Sequence, residues 1–150
     1  MPAGQDSVYT VALAPVLVDQ SAANTTSASV DMQGYDRVKF IYQIGAIVNG
    51  GILSTWAVED VNSNLATSTN ITSATNASLQ AALVNVTNTY NNSIQVIDIF
   101  RPTKRYVGVV VDAVTANITL LGIVAERSRG TGTNPATLTT GFQHVKIRAS

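Results

Sequence analysis

"RVKFIYQI", residues 37–44, is the stretch whose reading decides the fold. Val38, Phe40, Tyr42 and Ile44 fall on one side of an extended chain, and Arg37, Lys39 and Gln43 fall on the other. That alternation is the mark of a strand with one buried face. The same pattern recurs on both sides of it. "ILSTWAVED" (52–60) puts Ser54, Trp56 and Val58 on one face, a position expected to place Trp56 in the core. "NGG" at 49–51 supplies residues that tolerate positive φ, so a hairpin turn is expected there, with 52–60 as the return strand. "SIQVIDIF" (93–100), "RYVGVVVD" (105–112) and "NITLLGIVAE" (117–126) read as three more strands, the last two joined by the short link "AVTA" into an apolar hairpin.

The ends of the chain follow suit. "VYTVALAPVLV" (8–18) is strand-like, and Pro15, which cannot donate a ladder hydrogen bond, predicts an edge or a bend. "SASVDMQGYD" (27–36) reads as a short strand running into a glycine turn, and "HVKIRA" (144–149) alternates again. Seven or eight short strands with Gly or Asn turns predict an all-β, jelly-roll-like antiparallel β-sandwich. One stretch, "NASLQAALVNV" (76–86), has helical spacing at Leu79, Ala82 and Leu83. "NSNLATSTNITSATNAS" (62–78) is polar and simple in composition and predicts a long surface loop. "RSRGTGTNPATLTTGF" (127–142) has no apolar period. It predicts an extended C-terminal arm that either stays unanchored or orders against a neighbour. The expected organisation is a sandwich domain over 1–126 and an arm with a terminal strand over 127–150.

Charge narrows the function classes. Charged residues are only 12% of the 150, and the net charge is zero, but the two signs are unevenly placed. Residues 1–100 hold two basic against seven acidic side chains, and residues 101–150 hold seven against two. Either the halves of one fold neutralise each other, or the subunit is dipolar and docks on an acidic partner or on its own copies. Arg101, Lys104, Arg105, Arg127 and Arg129 are the candidate partner-binding residues. No dense basic run interleaved with aromatics argues for nucleic acid. No apolar run approaches the ~18 residues of a spanning helix, and the opening residues show no secretory signal. The chain has no cysteine and a single histidine, His144. No nucleophile motif, phosphate loop or His-based metal cluster is visible, so no enzymatic activity, cofactor, metal or small-molecule substrate is expected.

The carboxylates read as structural. Glu59 and Asp60 are adjacent on a strand and therefore point to opposite faces, which makes them a poor acid–base pair. Asp31 and Asp36 flank "MQGY", where a cation loop competes with an ordinary turn. Asp98 lies inside an apolar strand and is expected to face solvent or to pair with a nearby cation. The N-x-S/T triplets at Asn24, Asn70, Asn76, Asn85, Asn91 and Asn117 are what chance gives in a chain this rich in Asn, Ser and Thr.

"SVDMQGYDRVKFIYQIGAI" (29–47), "IQVIDIFRPTKRYVGVVVD" (94–112) and "NITLLGIVAERSRG" (117–130), followed by a Gly/Thr/Pro tail, together resemble the decoration or cement proteins of tailed-bacteriophage heads. The elements that carry the resemblance are D-x-Q-G-Y-D before a strand, R-P-x-x-R-Y-V leading into a Val-rich strand, and G-I-V-A before a basic segment, spanning roughly residues 27–130. The resemblance implies a jelly-roll-like subunit made in the bacterial cytoplasm. It implies a homo-oligomer, present in many copies, that binds the major capsid protein lattice on the outside of the virion. A tail or fibre module, or a jelly-roll carbohydrate binder using Trp56, is the alternative.

Overall fold

A computed structural model describes residues 7–18, 24–46, 52–71, 84–87, 92–113, 117–129 and 142–148. Among these residues the chain forms strands and no helix: β1 (Ser7–Leu13), β2 (Val16–Val18), β3 (Thr25–Thr26), β4 (Val30–Asp31), β5 (Arg37–Ile44), β6 (Ile52–Asp60), β7 (Thr69–Asn70), β8 (Val84–Thr87), β9 (Ile94–Phe100), β10 (Tyr106–Ala113), β11 (Ile118–Ser128) and β12 (Phe142–Arg148). They make two six-stranded sheets. The first runs β1-β11-β5-β9-β12, with β2 also on β11; the second runs β3-β10-β6-β7, with β4 on β10 and β8 on β6. The sheets pack face to face as a β-sandwich, as the alternation predicts.

β5 shows why. Val38, Phe40, Tyr42 and Ile44 are all at most 1% exposed and lie in one cluster with Leu53 and Ala57 of β6 and Val107, Val109 and Val111 of β10. Each such side chain contributes roughly 1.5–3 kcal/mol by leaving water, and a one-residue slip would expose all four, so the register is strongly fixed. The Tyr42 hydroxyl and the Thr55 hydroxyl are 2.8 Å apart and hydrogen-bond across the core, joining the two sheets. Burial pushes the Tyr42 phenol above its usual range, against a smaller opposing effect of that bond.

The polar face of β5 is also satisfied. Arg37 donates through Nε and Nη2 to the two carboxylate oxygens of Asp98, at 2.8 and 2.5 Å. Lys39 reaches Glu126 on β11 at 3.3 Å. Asp98 is therefore fully buried rather than solvent-facing. It pairs with a cation from the neighbouring strand, Arg37.

Several expectations need correction. Residues 37–60 are not a hairpin, because β5 lies in the first sheet and β6 in the second. Nor are β10 and β11, which also belong to different sheets. The chain changes layers six times: between β2 and β3, β4 and β5, β5 and β6, β8 and β9, β9 and β10, and β10 and β11. A one-face strand buries that face whichever layer it joins, so alternation alone does not choose the partner. The sandwich is not wholly antiparallel: β12 pairs with β9 in parallel, Phe142 opposite Ile94 through Arg148 opposite Phe100. Arg127 and Ser128 lie in β11, paired with both β1 and β5, and the terminal strand β12 belongs to the first sheet. Residues 130–141 lie outside the described residues. The end of the expected helix, Val84–Val86, is strand β8, laddered against Leu53–Thr55; residues 76–83 lie outside the description.

Trp56 is not in the central core. β6 turns Leu53, Thr55, Ala57 and Glu59 inward, which leaves Trp56 and Val58 on the outer face. There they pack with Val110, Tyr106 and Leu65 in a second, smaller cluster. The loop after β6 folds back to cover it. Asp60 accepts from the Asn62 amide (3.1 Å), the Thr67 amide (2.8 Å) and the Thr67 hydroxyl (2.9 Å), and so fixes the turn that brings Leu65 over the sheet. Burial works to raise the Asp60 carboxyl, but these donors outweigh it and hold it below the usual carboxylate range. Leu65 fits because residue 108 is glycine: a Cβ there would stand 2.5 Å from the Leu65 Cδ1 atom. The polar stretch 62–71 is thus a fastened loop ending in β7 and in Ile71, which is 1% exposed in the main core. Residues 72–78 of the expected loop lie outside the described residues.

Candidate attachment site

Three segments meet at one end of the sandwich. The turn 31–36 precedes β5, the link 101–105 joins β9 to β10, and residues 127–129 close β11. The registers place them together, with Arg37 opposite both Phe100 and Ser128, and Tyr106 opposite both Asp31 and Asp60. All five candidate partner-binding residues, Arg101, Lys104, Arg105, Arg127 and Arg129, therefore lie at this end.

The turn is built first. Asp31 Oδ1 accepts from the Gln33 amide at 2.9 Å, the Tyr35 amide donates to the Met32 carbonyl, and Gly34 takes φ +83°. An ordinary turn accounts for this Asp and Gly, and both Asp31 oxygens are also taken by Arg105. Arg105 donates through Nε at 2.9 Å and Nη2 at 2.7 Å, a bidentate geometry that matches a planar guanidinium to a carboxylate. The Arg105 bonds, with help from the Gln33 amide, bring the Asp31 carboxyl down to about 2. The same contact holds the Arg105 guanidinium above its usual range. Arg127 donates from Nη1 to the Asp31 carbonyl at 2.7 Å and lies over the Tyr35 ring, 5.0 Å from its centre. Arg129 donates from Nε to the Gly34 carbonyl at 3.3 Å.

The link 101–105 is held from inside. Glu59 faces the core side of β6 and is 6% exposed. Its carboxylate accepts from the Thr103 amide (2.8 Å), the Lys104 amide (3.1 Å) and the Thr103 hydroxyl. The Arg101 amide donates to the Asp36 carbonyl at 2.6 Å, which ties the link to the turn. Arg101 itself has φ +53°. Its guanidinium lies over the Phe100 ring at 5.1 Å, and the Lys104 ammonium donates to the Thr69 hydroxyl at 2.8 Å. Between turn and link lies an open cleft of about 510 Å³, lined by Tyr35, Asp36, Arg101, Thr103, Lys104 and Arg105 among others.

The acidic first half and the basic second half do neutralise each other at Arg105–Asp31, the one ion pair the five cations make among the described residues. The other four meet neutral oxygens or ring faces. Glu59, which the sequence offers only as a poor acid–base partner of Asp60, anchors this end. The available signal was its parity: a carboxylate on the same face as Leu53, Thr55 and Ala57 must find donors at the rim of the core. Among the described residues no group of three His, Asp or Glu side chains is placed to hold a metal.

The fold and the cleft define a two-layer β-sandwich with a cation-lined cleft at one end. No protein-family model, curated protein or solved structure matches the chain.

Proposed function

We propose that this chain is a virion structural protein that decorates and cements the head of a tailed bacteriophage. In this reading it binds the outer surface of the major capsid protein lattice through the cleft end of the sandwich and has no catalytic turnover. The observation that carries the reading is an open cleft lined by three basic residues of one link, Arg101, Lys104 and Arg105, with Arg127 and Arg129 bracing the turn beside it. The likeness of residues 27–130 to decoration proteins supports it, as does the sparse charge of the chain. Neutral polar side chains cost less to bury in a large contact surface than ions do. Copies of the chain associate with one another on the lattice.

The test is occupancy on purified heads lacking the protein, measured against salt. Attachment that saturates on heads and weakens as ionic strength rises past ~0.15 M, where charges are screened beyond about 8 Å, is the expected result. A protein that ignores heads at every salt concentration and runs as a compact monomer overturns the proposal.

A further inference from the structure

The five cations at this end of the sandwich are not equivalent. Arg105, Arg127 and Arg129 turn onto Asp31 and Gly34 and hold the 31–36 turn against the two sheets. Arg101 and Lys104 do something else. Neither makes an ion pair among the described residues, and both line the open cleft. Arg101 is exposed, with one face on the Phe100 ring. Lys104 spends one of its three N–H donors on a neutral hydroxyl.

The backbone beneath them is fixed more firmly than a surface link requires. A buried carboxylate, Glu59, takes three donors from Thr103 and Lys104, and the Arg101 amide is fastened to the Asp36 carbonyl. Arg101 also occupies the left-handed region at φ +53°, where glycine would hold the same turn without steric cost. A long cationic side chain at a strained, tightly held position is the kind of outlier that points to a use.

We infer that Arg101 and Lys104 form a preorganised pair that takes two carboxylates of an acidic peptide segment on the partner's surface. This rests on the attachment function proposed above and assigns its contact chemistry. Arg105, Arg127 and Arg129 shape the cleft and do not contact the partner's charges. An acidic peptide fits better than a nucleic acid. Asp36 lines the same cleft, and a backbone with a charge on every residue would run against it, whereas a peptide can set a neutral residue there. Because Glu59 already holds the link, little ordering is left to be done on binding.

The experiment uses the full chain, fluorescent hexaglutamate, hexaglutamine and a short single-stranded oligonucleotide, with binding read by anisotropy at low and physiological salt. Wild type should bind hexaglutamate in preference to the other two, more weakly as salt rises. The double variant Arg101→Gly, Lys104→Gln should lose about tenfold or more, at an unchanged or higher melting temperature. Arg129→Gln should change binding less than about threefold. Equal binding by the double variant and wild type overturns the inference, and so does an oligonucleotide that binds more tightly than hexaglutamate. Heads separate this inference from the function beneath it. If wild type and the double variant occupy heads equally, the Arg101–Lys104 pair is wrong and cementing stands. If wild type takes hexaglutamate but never heads, cementing is wrong and the pair stands.

Discussion

Replacing Arg37 with alanine should destabilise this protein more than any other single loss of charge in the first sheet. Asp98 is fully buried, and the Arg37 side chain, 12% exposed, meets both of its oxygens at 2.8 and 2.5 Å. Removing the guanidinium takes two charged donors from a buried carboxylate, and breaking a buried pair in this way typically costs about 3–5 kcal/mol. The lower end applies here, because Lys39 lies directly opposite Asp98 in the ladder and can swing over from Glu126. For a domain of this size about 3 kcal/mol corresponds to a melting temperature lowered by roughly 6–12 °C. The reverse deletion is milder. In Asp98→Ala the stranded group is Arg37, whose head already reaches the surface and can extend into water, so about 1–2 kcal/mol is expected. The double variant strands nothing and should be more stable than Arg37→Ala alone. Urea unfolding of all four proteins closes the cycle. If Asp98→Ala proves as costly as Arg37→Ala, or if the double variant is the least stable of the set, the stranded-charge argument is refuted.

Tyr42→Phe should cost about 1–3 kcal/mol by leaving the fully buried Thr55 hydroxyl without its 2.8 Å partner, and Tyr42→Phe with Thr55→Val should recover most of it; thermal melts of both variants decide this. Gly108→Ala should cost about 1–3 kcal/mol by driving Leu65 off the sheet, with Leu65→Ala in the same chain restoring part of the loss and Trp56 fluorescence reporting the uncovered cluster. Asp31 should titrate with a midpoint near 2 by carbon-detected NMR, and Arg105→Gln should return it towards the ordinary aspartate value near 4. Since the folded pKa is depressed, the stabilisation from this pair is present above about pH 4 and is lost as the pH falls towards 2. It should be small, because the pair is largely open to solvent.

The sequence by itself determined the longer strands and which face of β5 is buried. Both follow from local chemistry: a period of two cannot be packed as a helix, and four apolar side chains on one face cannot be left in water. It also determined the turn at Gly34, because an Asp and a Gly at the right spacing close a turn with their own groups. Even the break in β11 had a local sign. Leu120 and Ile123 both face inward, and the extra residue between them is accommodated at Gly122, with φ +121°, where the edge passes from β2 to β1. What the tertiary structure decided was pairing. Residues 49–51 look like a hairpin turn, yet β5 and β6 lie in different layers, because the interior needs two apolar faces and alternation does not say which strand supplies the second. The same freedom moved Trp56 to the outer face, made Arg37 a partner of Asp98, and gave β12 a parallel neighbour. Of the cleft, the basic residues were legible as composition. Their division into three that clamp a turn and two that stand over the cleft without a carboxylate partner among the described residues was not, because it depends on Asp31 and Glu59 arriving from strands 44 or more residues away, and only the closed fold brings those carboxylates within 3 Å or so of the donors they hold.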